Sequence, residues 1–234
     1  MPQAGAVNDL LNPLSSDLWF GRLDVGERRM LLSRAESMSL LPGAYAYRRG
    51  GPPDGIYALV SGLLKASTLR EDGKEAILAV FEAGNWFGEV SFIDGLPRAH
   101  DVMALGPCQL LRIPQRHSEE LMGRTAVVHA LALLQSMHLR GVYAIIDDET
   151  LRSMRARVAR RLRRLARGDA NPEAATERHV IVITQESLAM MLGITRQTLA
   201  LELKTFVAQG AISIGYGRIE IESIDKLRQF EVDP

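Results

Sequence analysis

Two hydrophobic periods divide this chain. From about residue 39 to residue 113, apolar residues come in short runs: Leu41–Tyr47, Gly55–Val60, Leu63–Leu69, Ala76–Phe81, Asp101–Leu105 and Gln109–Ile113. The runs are separated by Pro42-Gly43, the Gly50–Gly55 stretch, Ser61-Gly62, Glu71-Asp72-Gly73-Lys74 and Gly84. Asp72-Gly73 between two apolar runs predicts a hairpin. Many short strands at this spacing predict a small antiparallel barrel or jelly roll. On either side the period is helical. Asp24 is placed to cap a helix through Ala35, with Met30, Leu31 and Leu32 inward and Glu27, Arg28 and Arg29 solvated. Val127, Leu131, Leu134, His138, Gly141 and Ile145 recur at alternating four- and three-residue steps. They predict a long helix from Ser118 or Thr125 to near Asp147, with the seam of a two-stranded coiled coil. A helix lying on its own barrel would carry a similar stripe. Gly141 in mid-helix costs about 1 kcal/mol relative to Ala.

The stretch Thr184–Gln209 predicts two short helices around a tight turn. Thr184 caps the first, whose buried face is Leu188, Met191 and Leu192; Gly193 stops it, and Thr195 caps the second. Leu199, Leu203 and Phe206 give the second helix its apolar face and leave Arg196, Gln197 and Thr198 on an exposed first turn. A helix-turn-helix places that turn in a DNA major groove; an ordinary helical hairpin would show the same periodicity. The flanks favour DNA. Val180–Ile183 precedes the unit as a strand, and the runs at Ala211–Ile214 and Arg218–Ile221 follow it as a hairpin across Gly215-Tyr216-Gly217. Together they predict a winged helix.

Charge sharpens this division. The chain of 234 residues has 28 Lys/Arg and 28 Asp/Glu, yet Leu151–Gly210 holds eleven Lys/Arg against five Asp/Glu, and the remainder has the opposite excess. A basic C-terminal module on an acidic remainder suits a DNA-binding part joined to a regulatory part. The Leu151–Arg167 segment alone has eight arginines and no acid, of which only a minority are expected to reach phosphate. One cysteine, Cys108, cannot form an intrachain disulfide or supply a four-cysteine iron–sulfur cluster, and the five histidines lack metal-site spacing. No metal is therefore expected. No apolar run approaches the ~20 residues of a membrane span, so a cytoplasmic protein without a membrane partner is expected. No nucleophile–base constellation suggests an enzyme.

One segment of the β-rich region has chemistry of its own. Phe87–Phe92 opens a short helix after Gly84-Asn85-Trp86, and Pro97-Arg98-Ala99 follows it. Backbone N–H groups at such a start suit an anion, a nearby arginine can clamp it, and a glutamate can accept from a sugar hydroxyl. Read without its surroundings, the same segment is a solvated Glu and Arg on a barrel loop.

Gly50-x3-Asp54-Gly55-x-Tyr57 with Ser61-Gly62, the cassette FGEVSFIDGLPRA at Phe87–Ala99, and TQESLAMMLGITRQTL at Thr184–Leu199 occur in this order along the chain. In sequence and separation, residues from about Leu23 to Phe230 resemble the Crp/Fnr family of bacterial transcription regulators. The resemblance implies an α+β fold. Its parts would be a cyclic-nucleotide-binding-like β-roll over 21–117, a dimerisation helix and hinge over 118–149, and a winged helix-turn-helix over 150–234; the small and polar residues at the start, without periodicity, predict a flexible segment over 1–20. In nucleotide-binding members the cassette glycine and glutamate hold the ribose, and the arginine and the small residue after it hold the cyclic phosphate. Those positions are Gly88, Glu89, Arg98 and Ala99. Ala99 departs from the Ser or Thr of the cyclic-AMP receptor and has no hydroxyl to donate. No Ser or Thr stands between Leu139 and Asp148 to contact an adenine, which leaves the Tyr143 hydroxyl as the substitute. Each lost hydrogen bond to a charged group costs about 1.5–3 kcal/mol.

The family's recognition positions are Arg196, Gln197 and Leu201. Arg196 suits guanine O6 and N7, Gln197 suits adenine, and Leu201 offers only an apolar contact. Thr184, Gln185, Thr195 and Thr198 are the phosphate candidates. The expectation is a homodimer on palindromic DNA, with half-sites ~34–36 Å apart and RNA polymerase as a further partner. Its β-roll is expected to take an effector such as cyclic AMP, cyclic GMP or cyclic di-GMP. Two alternatives stand beside it: a regulator whose β-roll is only a scaffold, and a cyclic-nucleotide-binding subunit of a partner enzyme.

Overall fold

The computed structural model describes residue 14 and residues 17–170 and 178–232. Helices α1 (Leu18–Arg22) and α2 (Val25–Ser33) come first, followed by strands β1 (Glu36–Leu40), β2 (Tyr45–Tyr47), β3 (Gly55–Ser61), β4 (Leu63–Leu69), β5 (Glu75–Glu82) and β6 (Trp86–Phe87). Helix α3 (Glu89–Asp94), strands β7 (Asp101–Ala104) and β8 (Cys108–Pro114), and helix α4 (Ser118–Met122) complete the β-rich part. The strands form two four-stranded sheets, ordered β1-β8-β3-β6 and β2-β7-β4-β5. This is the expected jelly roll. The chain divides into two compact units, one running through Thr68 with Ala79–Leu139, the other made of Leu69–Leu78 and the chain from Arg140 on.

The first unit corrects several expectations. The run Leu41–Tyr47 is not one strand. Pro42 and Gly43 turn the chain, so only Tyr45–Tyr47 pairs, and the more polar Glu36–Leu40 forms a full ladder with β8. The residues expected to be loose before position 21 are partly core. Asp17 caps α1, and Trp19 and Phe20 are buried against Trp86, with ring centroids 4.9 Å and 5.0 Å away. Burial of such rings outweighs the polar character of their neighbours, at roughly 2–3 kcal/mol each. Leu14 is buried as well; the rest of the stretch expected to be loose, like most of the Gly168–Arg178 connector, lies outside the described residues. Helix α2 forms as expected, with Asp24 accepting from the Glu27 N–H.

Helix α5 (Thr125–Leu151) is continuous through Asp147-Asp148-Glu149, and the break comes at Arg152, where Ser153 caps α6 (Met154–Arg167). The helical break therefore lies about one turn beyond the acidic run expected to mark it. The first three positions of the expected seam are spent within the chain. Val127, Leu131 and Leu134 are at most 2% exposed and belong to the chain's own core with Trp19, Trp86 and Phe92. The outward apolar stripe lies one residue later and includes Leu139, Val142 and Ile146, each at least half exposed. Both stripes satisfy the same four–three alternation, and β-roll burial selects between them.

In the second unit, β9 (Val180–Val182), α7 (Gln185–Leu192), α8 (Arg196–Ala208), β10 (Ile212–Gly215), β11 (Arg218–Ile221) and α9 (Ile224–Gln229) follow the predicted order. The three strands pair as β10-β11-β9, all antiparallel, which makes the wing. Leu199, Leu203 and Phe206 are 0% exposed.

Deleting side-chain volume at Leu134 should cost about 2–5 kcal/mol in urea unfolding. The same truncation at Leu41, 76% exposed on the β-roll, should stay within about 0.5 kcal/mol. Equal effects at the two positions would contradict the assignment of the inner helix face.

Candidate functional site: a β-roll pocket and a DNA-facing helix

The β-roll pocket forms where β6 runs into α3. Gly88 adopts φ +85°, and a Cβ placed there would lie 2.9 Å from Arg98 Nη1, so both the turn and the close approach require glycine. Arg98 is 3% exposed. Its Nη1 donates to the Gly88 carbonyl at 2.9 Å, and its Nη2 donates to Asp54 Oδ1 and to the Gly55 carbonyl. The guanidinium also lies 4.1 Å above the Tyr47 ring. Its Nε has no partner. Asp54 is in turn held by the Tyr57 hydroxyl. A buried guanidinium needs this compensation, since removing one partner of such a pair costs about 3–5 kcal/mol.

Glu89 is 4% exposed and accepts from or shares a proton with His138 Nδ1 at 2.8 Å. Burial pushes its carboxyl up, but the His138 hydrogen bond and charge, its own backbone N–H and His100 together hold it below the usual carboxylate range. Burial lowers His100, which contacts the Tyr47 hydroxyl at 3.3 Å. The cavity among these groups is about 50 Å³, room for a few waters. Ala99 lines it and is exposed, without a polar side-chain atom. Tyr143 is not among the lining residues and is 62% exposed. The long helix instead contributes His138, which the coiled-coil spacing had disguised as a seam residue. Asp54 also escaped as a site residue, although its place in the Gly50-x3-Asp54-Gly55 motif was the available signal.

Beneath the pocket, Asp17 is 3% exposed. Burial raises its pKa to about 6, opposed by the Trp19 N–H, the His138 charge and the Trp86 N–H, with Glu89 adding to the rise.

The second unit gathers the other candidates at one surface. Thr184 caps α7 by accepting from the Ser187 N–H, and Thr195 caps α8 by accepting from the Thr198 N–H. Thr184, Thr195, Arg196, Gln197 and Thr198 are all exposed, Gln185 is half-buried, and Leu201 is 69% exposed. A groove of about 360 Å³ runs between this helix pair and the wing, with Thr184, Gln185, Arg196, Tyr216 and Arg218 in its walls. Tyr216, at the wing tip, is fully exposed. The arginine-rich helix α6 mostly faces its own unit. Arg155 pairs with Glu202, Arg160 with Asp148, Arg161 with Asp169 and Arg163 with Glu231. These contacts explain a basic run without invoking DNA phosphates.

Comparison with known proteins gives the same division. Residues 37–125 match the cyclic nucleotide-binding domain, and residues 156–230 match the Crp-like helix-turn-helix domain. A CRP-like cAMP-activated global transcriptional regulator of Mycobacterium tuberculosis is 24% identical over 79% of this chain and 83% of its own length. The cyclic AMP receptor protein of Thermus thermophilus is 26% identical over 80% and 84%. Among solved structures, FixK2 from Bradyrhizobium japonicum superposes with a TM-score of 0.75 at 19% identity, over 86% of this chain and 98% of that one. No helix among the described residues is long and apolar enough to cross a membrane.

Two measurements test this geometry. Arg98→Ala should destabilise the fold by about 3–5 kcal/mol in chemical unfolding, because it strands Asp54 and two carbonyls; a contact made only to ligand would leave stability unchanged. For Asp17, a folded pKa raised above the unfolded value means that its own contribution to stability is full below about pH 4 and is lost as pH rises through about 6. Asp17→Asn should flatten that window and raise stability at pH 7 by on the order of 1–3 kcal/mol. An unchanged slope in urea titrations across the window would contradict it.

Proposed function

We propose that this chain, a member of the Crp/Fnr family of transcription regulators, acts as a homodimer that reads a palindromic operator and is gated by a cyclic nucleotide in its β-roll. That it is a Crp-like regulator with a cyclic nucleotide-binding domain and a DNA-binding helix-turn-helix is its family assignment. The dimer, the effector and the individual contacts are our reading.

The single observation that carries the reading is the presentation of α8. Three fully buried residues, Leu199, Leu203 and Phe206, fix one face, and Arg196, Gln197 and Thr198 stand exposed on its first turn. In this reading Arg196 pairs with guanine and Gln197 with adenine, while Leu201 gives an apolar contact. Thr184, Gln185, Thr195 and Thr198 hold phosphates. The outward stripe through Leu139, Val142 and Ile146 serves the twofold axis that a palindrome requires, and RNA polymerase is the further partner.

For the effector, Gly88, Glu89, Arg98 and Ala99 supply the pocket, and cyclic AMP, cyclic GMP and cyclic di-GMP are the candidates. Entry requires the effector to compete with His138 for Glu89. It also requires the phosphate to reach Arg98 Nε or to displace Asp54 from that guanidinium. Tyr143, exposed on α5, is left for contacts outside the pocket described above. The commitment of both Arg98 terminal nitrogens to the chain itself favours a second reading, in which the β-roll is a scaffold and DNA binding needs no effector.

Calorimetry and operator selection from genomic fragments at low salt separate the two. Gating predicts saturable heat with one of the three nucleotides, a matching gain in DNA affinity, and about ten-fold tighter nucleotide binding in Ala99→Ser, which restores a phosphate donor. Sequence-selective DNA binding with no nucleotide heat in either protein establishes the scaffold reading instead. Absence of any DNA selection removes both.

A further inference from the structure

A second candidate site lies in the C-terminal unit, apart from the exposed first turn of α8. A cavity of about 30 Å³ is lined by Arg157, Arg160, Arg161 and Arg164, with Asp148 and Glu149 also in its wall. That volume admits one or two oxygen-sized atoms. Arg161 is 6% exposed, donates through Nη2 to Asp169 at 3.0 Å, and its buried Nε has no partner. Arg164 donates to the Gly141 and Asp169 carbonyls at 2.9 Å and 3.2 Å. Arg157 donates to the Leu192 carbonyl at 3.0 Å and lies 3.4 Å from Glu149, while Arg160 holds Asp148 through Nε. Four guanidiniums thus face three carboxylates, counting Asp169. Glu231 also bears on Arg160, so charge is nearly balanced, but the buried Arg161 Nε remains without a partner.

Burial lowers the pKa of Arg164, and the neighbouring Arg161 charge lowers it further against the opposing pull of Asp169. Four guanidiniums in one cavity wall favour an anion as the ligand. Their planar donor forks fit the oxygens of a tetrahedral oxyanion better than those of a monatomic one.

We infer that this arginine-lined cavity is an oxyanion site that accepts a phosphate group, either free or at the end of a phosphorylated small molecule. The group enters with its terminal oxygens toward Arg161 Nε and Arg160. It competes with Glu149 for Arg157, whose other contact is the last carbonyl of helix α7. The site therefore touches the first helix of the helix-turn-helix without occupying its DNA face. It does not depend on the nucleotide-gated reading of the β-roll.

The test is calorimetry of the full chain with inorganic phosphate and, separately, phenyl phosphate, at ionic strength fixed with chloride. Saturable binding is expected. Arg160→Gln should weaken it about ten-fold or more through loss of a charge-assisted donor. Glu149→Gln, on a side chain 54% exposed, should tighten it several-fold by removing the competing charge, and Arg196→Ala should leave it unchanged. Comparable affinity for phenyl phosphate assigns an esterified phosphate, and binding of inorganic phosphate alone assigns the free ion. No saturable heat, undiminished binding in folded Arg160→Gln, or loss in Arg196→Ala would each overturn the site.

Discussion

Helix α5 has two apolar stripes and only one of them can be satisfied by its own chain. Val127, Leu131 and Leu134 close the β-roll core with Trp19, Trp86 and Phe92. That burial fixes the rotation of the helix about its axis, and with it everything the helix presents. It turns His138 onto Glu89. It leaves Leu139, Val142 and Ile146 outward, in a row that water cannot satisfy. The pocket and the outward apolar stripe are thus set by one packing decision. A polar substitution on the inner stripe would be felt in both places, whereas one on the outer stripe would be felt only in assembly.

The second constraint is electrostatic. Arg98 sits where water cannot solvate it, so the chain surrounds it with Asp54, two glycine carbonyls and the face of Tyr47. Such a group is structural before it is functional. The same holds on α6, where a run of arginines that looks made for phosphate is largely neutralised by Asp148, Asp169, Glu202 and Glu231. Charge on a sequence measures neither exposure nor availability. The proposed oxyanion site is what is left after these pairings are subtracted, one buried donor on Arg161 rather than eight arginines.

Much of this was legible from the chain alone. Turn residues at short spacing marked the two sheets, and the cap threonines with Gly193 marked the helix-turn-helix, because both signals are local. What failed was long-range. Trp19 and Phe20 looked like part of a loose leader because their partner, Trp86, is far along the chain. The four–three alternation fits two stripes one residue apart, and only the β-roll surface decides which is inner. The acidic run at Asp147–Glu149 reads as a hinge, but Asp148 and Glu149 answer Arg160 and Arg157, so the helix continues through them. Glu89 and Arg98, which the cassette singles out, both line one cavity. Their actual partners, His138 and Asp54, could be found only by folding the chain.

The claim that one helix face is spent inward and the other kept for a second copy can be tested by cysteine cross-linking. The only native thiol, Cys108, is buried. Under mild oxidation, Leu139→Cys and Val142→Cys should each join to their own copy within a dimer, while Glu119→Cys, exposed but off the stripe, should not. Cross-linking no faster at 139 and 142 than at 119 would contradict the account.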